Sequence, residues 1–257
     1  MLNKVAVITP YYKESNEILR MCHESVLHQT PQTDHILVAD GHPNPLIEDW
    51  TCKHIILPHS HGDNGNTPRG IGALMALAEG YQFIAFLDAD NWYHKDHIAS
   101  LLSLYEDTSS PICCSFRTYH SLEGLILNAK EIDEDNLTHV DTSCIMLHKN
   151  ASKLATIWAL MPKNLSPICD RIFLAASKHF NLQMSSTKTR SVAFRSQYID
   201  HYLQAGIQPP ENLKGLEEVE PAINYLFTKE GIDDCQRMMN FWPGTYLPKN
   251  WIPKKAR

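Results

Sequence analysis

Two aspartates separated by a single residue, Asp88 and Asp90, are the first candidates for chemistry in this 257-residue sequence. They follow an apolar run, and side chains alternate faces along an extended chain, so both carboxylates are expected to point the same way. Converging carboxylates repel each other and favour a cation beside them, and oxygen ligands suit Mg²⁺ or Mn²⁺. An ion held in this way could bind a diphosphate. A strand end followed by a simple turn is the alternative.

A second candidate metal motif is the sequence H-S-H-G-D at residues 59–63. It resembles the start of a metallo-β-lactamase-type zinc site, which would use His59, His61 and Asp63 in a metal-dependent hydrolase. Such a motif continues with another histidine, and Asn64 stands there instead. A polar, mobile loop near a ligand pocket explains the segment as well, and we expect that loop rather than a zinc site.

Apolar runs alternate with helical patterns over the first hundred residues, and these elements must position the motifs. The expected strands are 4–9, 35–39, 53–57 and 81–87, and the expected helices are 14–29 and 68–79. This alternation predicts an α/β fold with βαβ units, a mostly parallel central sheet and helices on both faces. Ligands bind at the carboxyl ends of the strands in such sheets. Residues 9–12, 40–41 and 88–91 lie at those ends.

The second half of the sequence is less regular. Strands are expected at 112–117, 142–148 and 190–195, and helices at 151–160 and 167–180. After residue 211, helical segments give way to a tail rich in proline and tryptophan. No internal repeat or low-complexity linker divides the chain, which favours one domain with an extension.

Composition excludes several classes of protein. With 43% hydrophobic and 20% charged residues the chain should fold around a sizeable core, and it contains no apolar run long enough to span a membrane. The net charge of −6 argues against nucleic acid as the main partner. Seven cysteines without a C-x-x-C pair indicate neither a disulfide framework nor a cysteine zinc site. With no signal-like segment, a cytoplasmic location is expected.

Four short motifs occur in order along the first half of the chain. They are V-A-V-I-T-P-Y-Y-K at 5–13, S-V-L-H-Q-T at 25–30, I-L-V-A-D-G at 36–41, and P-R-G-I-G at 68–72 followed by the strand that leads to Asp88 and Asp90. In order and spacing, this set resembles the family 2 glycosyltransferases of the GT-A fold, over roughly residues 4–200. The ordered set is specific, although each motif alone is weak.

The resemblance implies an organisation and a reaction. Residues 1–210 would form the GT-A domain, with a Rossmann-like nucleotide-sugar half at 1–100 and an acceptor half at 101–210, followed by a helical extension and tail at 211–257. The implied enzyme moves a sugar, with inversion, from a nucleoside diphosphate donor to an acceptor hydroxyl on a carbohydrate or another molecule. A UDP-sugar is the favoured donor, and Mn²⁺ or Mg²⁺ the implied cofactor. A protein that binds nucleotide sugars without transferring them is the alternative.

Several residues in these motifs suit nucleotide binding. Asp40 can accept the imide N–H of uracil, which uridine and thymidine share. Tyr11 can stack on the base, with Thr9 and Pro10 in the same loop. Packing within the loop is the alternative for Tyr11 and Thr9, and an Asx-type turn with Gly41 is the alternative for Asp40.

Charge for the diphosphate is expected from one arginine and two aspartates. Arg69 stands near a helix N-terminus, where it can neutralise diphosphate charge. The resemblance implies that Asp88 lies near the ribose and that Asp90 ligates the metal.

The resemblance also points to a general base in the second half. Asp170, in the segment P-I-C-D-R-I-F at 167–173, matches the family's catalytic aspartate, although Cys169 replaces its usual acidic neighbour. Asp141 is the competing base, and stabilisation of a helix N-terminus is the alternative role for Asp170. Gln197 stands where relatives often have a metal-binding histidine. His201 could substitute for it, or could be a histidine on a helix surface.

Aromatic and basic side chains are concentrated in the C-terminal tail. They could contact an anionic membrane surface peripherally, but prolines interrupt any helical period, which favours a tail packed along the body. The residues concerned are Trp242, Tyr246, Trp251, Lys254, Lys255 and Arg257.

Overall fold

The computed structural model describes residues 4–130, 139–215, 217 and 219–248. Within these residues, nine strands form a single sheet in the order β3-β2-β1-β4-β8-β6-β9-β5, with β7 paired to β6. The strands are β1 (Val5–Tyr11), β2 (Asp34–Ala39), β3 (Lys53–Ile56), β4 (Phe83–Phe86), β5 (Trp92–Tyr93), β6 (Ile112–His120), β7 (Ile126–Leu127), β8 (Ile145–His148) and β9 (Met184–Arg195).

Helices cover both faces of this sheet, as expected. They are α1 (Asn16–Leu27), α2 (Asn66–Ala78), α3 (His97–Thr108), α4 (Ser152–Leu160), α5 (Cys169–His179), α6 (Ile199–Gln204), α7 (Glu220–Leu226) and α8 (Lys229–Met239). Alternation along β1 separates the two layers. Ile8 faces α2, where a Cβ added at Gly72 would lie 2.7 Å from Ile8 Cγ2. Thr9 points the other way, and its Oγ1 lies 3.8 Å from Cys22 Sγ on α1.

The first four strands are parallel and form the expected βαβ half. β1 pairs with β2 on one side and β4 on the other, and β3 extends the sheet beside β2. The carboxyl ends of these strands therefore meet at one edge. The backbone N–H of Asp40 donates to the carbonyl of Tyr11 at 2.8 Å, which joins two of these ends directly.

The expectation of a mostly parallel sheet holds only for this half, because the complete sheet is mixed. β8 runs antiparallel to β4 and β6, and β5 runs antiparallel to β9, while β6 and β9 are parallel. A buried strand shows the same continuous apolar pattern in either direction, so the pattern predicts that a strand exists but not which way it runs.

The D-x-D motif lies in a turn after β4 rather than in an extended segment. β4 ends at Phe86, and the N–H of Asn91 donates to the carbonyl of Asp88 at 3.0 Å. The expected alternation of the two carboxylates therefore does not apply. The turn is anchored to Ser143, whose Oγ accepts from the N–H of Asp88 at 3.1 Å and from Nδ2 of Asn91 at 2.9 Å.

The described part of the C-terminal extension packs on the body of the protein. Leu226, Cys235 and Met239 belong to the main hydrophobic core. Trp242 Nε1 donates to the carbonyl of Leu226 at 2.9 Å, and the Tyr246 hydroxyl lies 3.0 Å from His179 Nδ1. The alternative of a membrane contact concerns Trp251, Lys254, Lys255 and Arg257 as well, and these four positions lie outside the described residues. In the part of the chain that is described, no helix combines the length and apolar character needed to cross a membrane.

Candidate active site

A cavity of about 690 Å³ lies along the carboxyl ends of the parallel strands and continues into the second half of the chain. Its lining from the first half of the chain comprises the loop after β1, Asp40, Ser60, residues 62–65, Arg69 and the D-x-D turn. Its lining from the second half includes Asp141 and Asp170, and the part that these residues line is called the far end of the cavity. Every predicted site residue except Thr9 lines this cavity.

Arg69 and Asp88 form an ion pair in the middle of the cavity. Arg69 lies in the first turn of α2 and is buried, and its Nη2 atom donates to Asp88 Oδ1 at 2.6 Å. Nη1 donates to Asn66 Oδ1 at 3.0 Å, and the guanidinium lies 4.8 Å from the ring centre of Trp158. These contacts fix the orientation of the arginine and place its positive charge against the Asp88 carboxylate.

Asp90, the second aspartate of the D-x-D turn, is half-buried. Its Oδ2 atom accepts a hydrogen bond from Gln197 Nε2 at 2.9 Å. Burial, reinforced by the nearby charge of Asp88, raises the pKa of Asp90 to about 7. In the described residues, no group of three or more histidine, cysteine, aspartate or glutamate side chains is arranged to hold a metal ion. Asp90 therefore stands as a single carboxylate with an amide neighbour.

Asp40 is held by a loop rather than by a local turn. Its carboxylate accepts hydrogen bonds from His61 N at 3.0 Å, from His61 Nδ1 at 2.7 Å and from Ser60 Oγ at 3.1 Å. Burial alone would raise the pKa of Asp40, but the donors from His61, Gly62 and Ser60 lower it overall. The carboxylate thus remains ionised at the edge of the cavity while it organises the loop.

Gly41 allows this loop to approach so closely. It has a φ of +77°, and a Cβ at this position would lie 2.3 Å from the backbone nitrogen of Ser60. A side chain would therefore push the loop away from Asp40 in addition to straining the backbone. The D-G sequence marks a turn, but this backbone-to-backbone contact is a property of the tertiary structure.

The loop after β1 differs from expectation at Thr9 and Tyr11. Thr9 Oγ1 bonds to His35 Nε2 at 2.9 Å inside the core, because strand alternation directs it toward α1 and away from the cavity. The Tyr11 ring is buried, and its hydroxyl bonds to His54 Nε2 at 2.7 Å. Both side chains thus make packing contacts, and Tyr11 also lines the cavity. Tyr12 is 41% exposed and lines the cavity as well, and its ring packs edge-on against that of His42 with 4.5 Å between the ring centres.

The histidine motif of the loop does not form a shared site. Asp63 Oδ2 accepts from the N–H of Thr67 at 2.9 Å and from its hydroxyl at 2.6 Å, at the start of α2. His61 is bonded to Asp40, and its ring lies 4.8 Å from that of His59. The aspartate and the histidine thus serve different partners, and this geometry does not support the hydrolase alternative.

Asp170 lies in the first turn of α5, at the far end of the cavity. Its Oδ2 atom lies 2.6 Å from His139 Nε2, and its Oδ1 atom accepts from the backbone N–H of Arg171 at 2.7 Å. Burial opposes ionisation, but His139 and Arg171 more than offset it and hold the pKa of Asp170 well below its ordinary value. The sequence motif identified Asp170, but nothing in the sequence indicated His139.

Asp141, the competing base, forms a buried ion pair. Arg117 Nη1 donates to its Oδ2 atom, and the N–H of Ser143 donates to Oδ1 at 2.9 Å. Burial raises the pKa of Asp141, although the charge of Arg117 opposes the shift. Asp141 also begins the 3-10 turn Thr142–Cys144. These contacts suit a structural carboxylate.

The expectation that His201 lies on a helix surface is wrong. His201 is buried, its Nδ1 atom lies 2.7 Å from Ser196 Oγ, and its ring lies 4.2 Å from that of Tyr119. Gln197, and not His201, is the residue bonded to Asp90.

Comparisons with known proteins agree with this architecture. The family model described as "Glycosyl transferase family 2" matches residues 6–139. An "Uncharacterized glycosyltransferase" of Rickettsia felis is 32% identical over 111 residues, which cover 41% of this chain and 18% of that protein. The "Succinoglycan biosynthesis protein ExoW" of Rhizobium meliloti is 30% identical over 112 residues, covering 40% of this chain and 33% of that protein. The chain thus matches a third or less of the length of these relatives.

Solved structures of a Staphylococcus aureus protein have a similar fold. TarS residues 1–349 in complex with UDP superpose with a TM-score of 0.58 and 14% identity, over 93% of this chain and 72% of that one. The complex with UDP-GlcNAc gives the same TM-score and identity, over 93% and 73%. At this identity the likeness concerns the fold. Since the family model covers more than half of its residues, the chain belongs to glycosyl transferase family 2, with a GT-A-like fold.

Proposed function

We propose that this protein transfers a sugar from a nucleoside diphosphate donor to an acceptor hydroxyl. The observation that carries the proposal is the single cavity, which has groups suited to a nucleotide diphosphate at one end and the carboxylate of Asp170 at the other. Family membership supports the reaction class. The UDP and UDP-GlcNAc complexes of TarS support a UDP-sugar as the donor.

The nucleotide would occupy the end bordered by Pro10, Tyr12 and Asp40. Tyr12 offers an aromatic face, and Asp40 offers acceptor oxygens at the edge of the base. The diphosphate would then lie near Arg69, whose buried Nε atom has no hydrogen-bond partner within the described residues. A buried donor without a partner costs free energy, and a phosphate oxygen would supply that partner.

A divalent ion, Mn²⁺ or Mg²⁺, fits the chemistry of the D-x-D turn. Burial, with a smaller contribution from the charge of Asp88, raises the pKa of Asp90, and a cation beside this carboxylate would favour its charged form. Mg²⁺ is commonly held by one or two carboxylates with water and substrate phosphates, so Asp90 alone is a sufficient protein ligand. When bound, the ion would stabilise negative charge on the departing diphosphate.

Asp170 would act as general base in an inverting transfer. Such a transfer needs a carboxylate on the face of the anomeric carbon opposite the leaving group, within hydrogen-bond reach of the attacking hydroxyl. Asp170 lines the same cavity as Arg69 and the D-x-D turn, which supports this role. The acceptor would be a carbohydrate or another molecule that presents a hydroxyl. A protein that only binds the donor would not need this carboxylate.

The decisive experiment measures UDP release from a panel of UDP-sugars with Mn²⁺ and candidate hydroxyl acceptors. Asp170→Asn keeps the shape and removes the basic oxygen, so turnover should fall by about a hundredfold or more while UDP affinity is retained. Asp34→Asn, the same chemical change at an exposed carboxylate, is the matched control and should leave turnover unchanged.

Three results would contradict parts of this proposal. Donor binding without turnover across the panel would favour the binding-protein alternative. Parallel loss of UDP affinity in Asp170→Asn would give Asp170 a structural role. Near-normal turnover in that variant would move the base to Asp141 or another carboxylate.

A further inference from the structure

The far end of the cavity contains a carboxylate–imidazole pair formed by Asp170 and His139. Their side chains are 22% and 12% exposed, and both line the cavity. We propose that His139 is a positioning residue for the reaction, which orients the Asp170 carboxylate and keeps it ionised until the acceptor hydroxyl gives up its proton. This inference rests on the proposed function and adds to it a residue that no sequence motif identified.

The short contact determines where one proton lies. An ionised carboxylate can only accept hydrogen bonds, so a ring nitrogen 2.6 Å from Asp170 Oδ2 must carry a hydrogen. His139 therefore donates through Nε2, whether or not its other ring nitrogen is protonated. A donor bound to a charged acceptor is among the stronger hydrogen bonds, so the pair is a rigid unit.

The second oxygen of Asp170 is oriented as well. Its Oδ1 atom accepts from the N–H of Arg171 at 2.7 Å, so two donors, one on each oxygen, fix the plane of the carboxylate. Each oxygen keeps a further lone pair for an incoming hydroxyl. Removal of His139 would free the carboxylate to rotate and would also remove a donor that favours its charged form.

The proposed transfer breaks two bonds and forms two. The acceptor O–H bond breaks and its proton passes to an Asp170 oxygen. The acceptor oxygen forms the new bond to the anomeric carbon, and the bond from that carbon to the diphosphate breaks, with its electron pair leaving on the diphosphate. His139 retains its proton throughout and stabilises the carboxylate before the transfer.

Other charged and titratable groups face Asp170 and set the background for its ionisation. Arg171 is on the same helix and favours the charged carboxylate. Asp141 opposes it but is paired with Arg117. Burial, together with Asp170 and Asp141, raises the pKa of Tyr198 to about 12, so this phenol stays neutral near the pair. Cys169 is also neutral, because burial raises its thiol pKa strongly. Among these groups, His139 is therefore the one whose removal should most directly affect the ionisation of Asp170.

The test compares His139→Ala and His139→Gln with the wild type and with His28→Ala, a control at an exposed histidine. For each protein, kcat, KM and kcat/KM are measured from pH 5 to 9, and UDP affinity is measured by calorimetry. His139→Ala should lower kcat by about tenfold or more with UDP affinity within about twofold. His139→Gln, which can still donate an N–H, should recover part of kcat.

An unchanged kcat in His139→Ala would overturn the inference, and so would equal losses in kcat and UDP affinity. If His139→Ala does not fold, a folded His139→Gln variant that keeps part of the wild-type kcat with unchanged UDP affinity would support the donor role. An inactive but folded His139→Gln, or one with the full wild-type kcat, would refute it. Absence of sugar transfer by the wild-type protein would instead refute the proposed function itself, so the two failures are distinguishable.

Discussion

Gln197 Nε2 donates a hydrogen bond to Asp90 Oδ2 at 2.9 Å, between residues 107 positions apart in the chain. The end of β9 leads into Gln197, and Arg195 at that end donates its backbone N–H to Asn91 Oδ1 at 2.9 Å. The second half of the chain therefore holds the D-x-D turn of the first half in place. The two ends of the cavity are parts of one packed unit, so a change at one can alter the other.

Substitution of Asp90 should remove the metal dependence of donor binding. Asp90→Asn replaces the charged oxygen that would hold the ion, so UDP affinity in Mn²⁺ should fall by about tenfold or more, the equivalent of one charge-assisted contact. Calorimetry of UDP with and without Mn²⁺ measures this. Asp96→Asn, at an exposed carboxylate, is the control and should behave as the wild type. Metal-dependent affinity that survives in Asp90→Asn would exclude this aspartate as the ligand.

Substitution of Asp40 should affect both stability and nucleotide binding. Asp40→Asn removes the charge of the acceptor that Ser60 and His61 share and replaces one of its oxygens with an NH₂ group, and hydrogen bonds to a charged group contribute about 1.5–3 kcal/mol. We expect a lower melting temperature and weaker UDP binding, to be measured by thermal unfolding and calorimetry. Asp49→Asn, at an exposed position, serves as the matched control. A variant with wild-type stability would show that the loop does not depend on this carboxylate.

Gly70 should not tolerate a side chain, because α2 and α4 touch there. A Cβ at Gly70 would lie 2.7 Å from both the backbone nitrogen and the Cβ of Ala159. Overpacking of this kind costs about 1–3 kcal/mol, which exceeds the helix-propensity gain of about 1 kcal/mol from alanine. Urea unfolding of Gly70→Ala should show the net loss, whereas Leu74→Ala, at a 40% exposed position of α2, should cost less. A Gly70→Ala protein more stable than the wild type would contradict this packing.

Acid should destabilise the protein through His97. Burial, with a smaller contribution from His94, lowers the pKa of His97 from 6.5 to about 3 in the folded state. Below pH 6.5 the unfolded chain therefore binds a proton that the native histidine does not, so stability is fully present above that pH and falls as the pH drops toward 3. Between pH 7.5 and 5.5 this one group should cost about 1 kcal/mol.

The test for His97 compares how much unfolding free energy the wild type and a variant each lose between pH 7.5 and pH 5.5. Urea unfolding of the wild type and of His97→Gln at both pH values should show a smaller acid loss in the variant, because glutamine does not titrate and can still bond to Ser191. His28→Gln, at an exposed histidine, should lose as much as the wild type. Equal losses in all three proteins would mean that His97 is not the group that responds.

Local sequence patterns were sufficient to predict most elements of the first half. The apolar runs that end at Thr9, Ala39 and Leu87 correspond to strands β1, β2 and β4, and the turn signals after them correspond to the cavity edge. These predictions work because burial and secondary structure depend on periodicity over a few residues. These patterns could not predict that β8 runs antiparallel to its neighbours, because an apolar run looks the same in a parallel and in an antiparallel strand.

The partners of the site residues were decided only by the tertiary structure. The order of aspartates, arginine and turn glycine along the chain was enough to indicate the family. It did not show that Asp40 binds a loop twenty residues away, that Tyr11 is buried, or that His139 donates to Asp170. Such contacts depend on strand order and register across the whole sheet. The sequence by itself therefore determined which chemical groups are present at the strand ends, and the packing of both halves decided which of those groups meet.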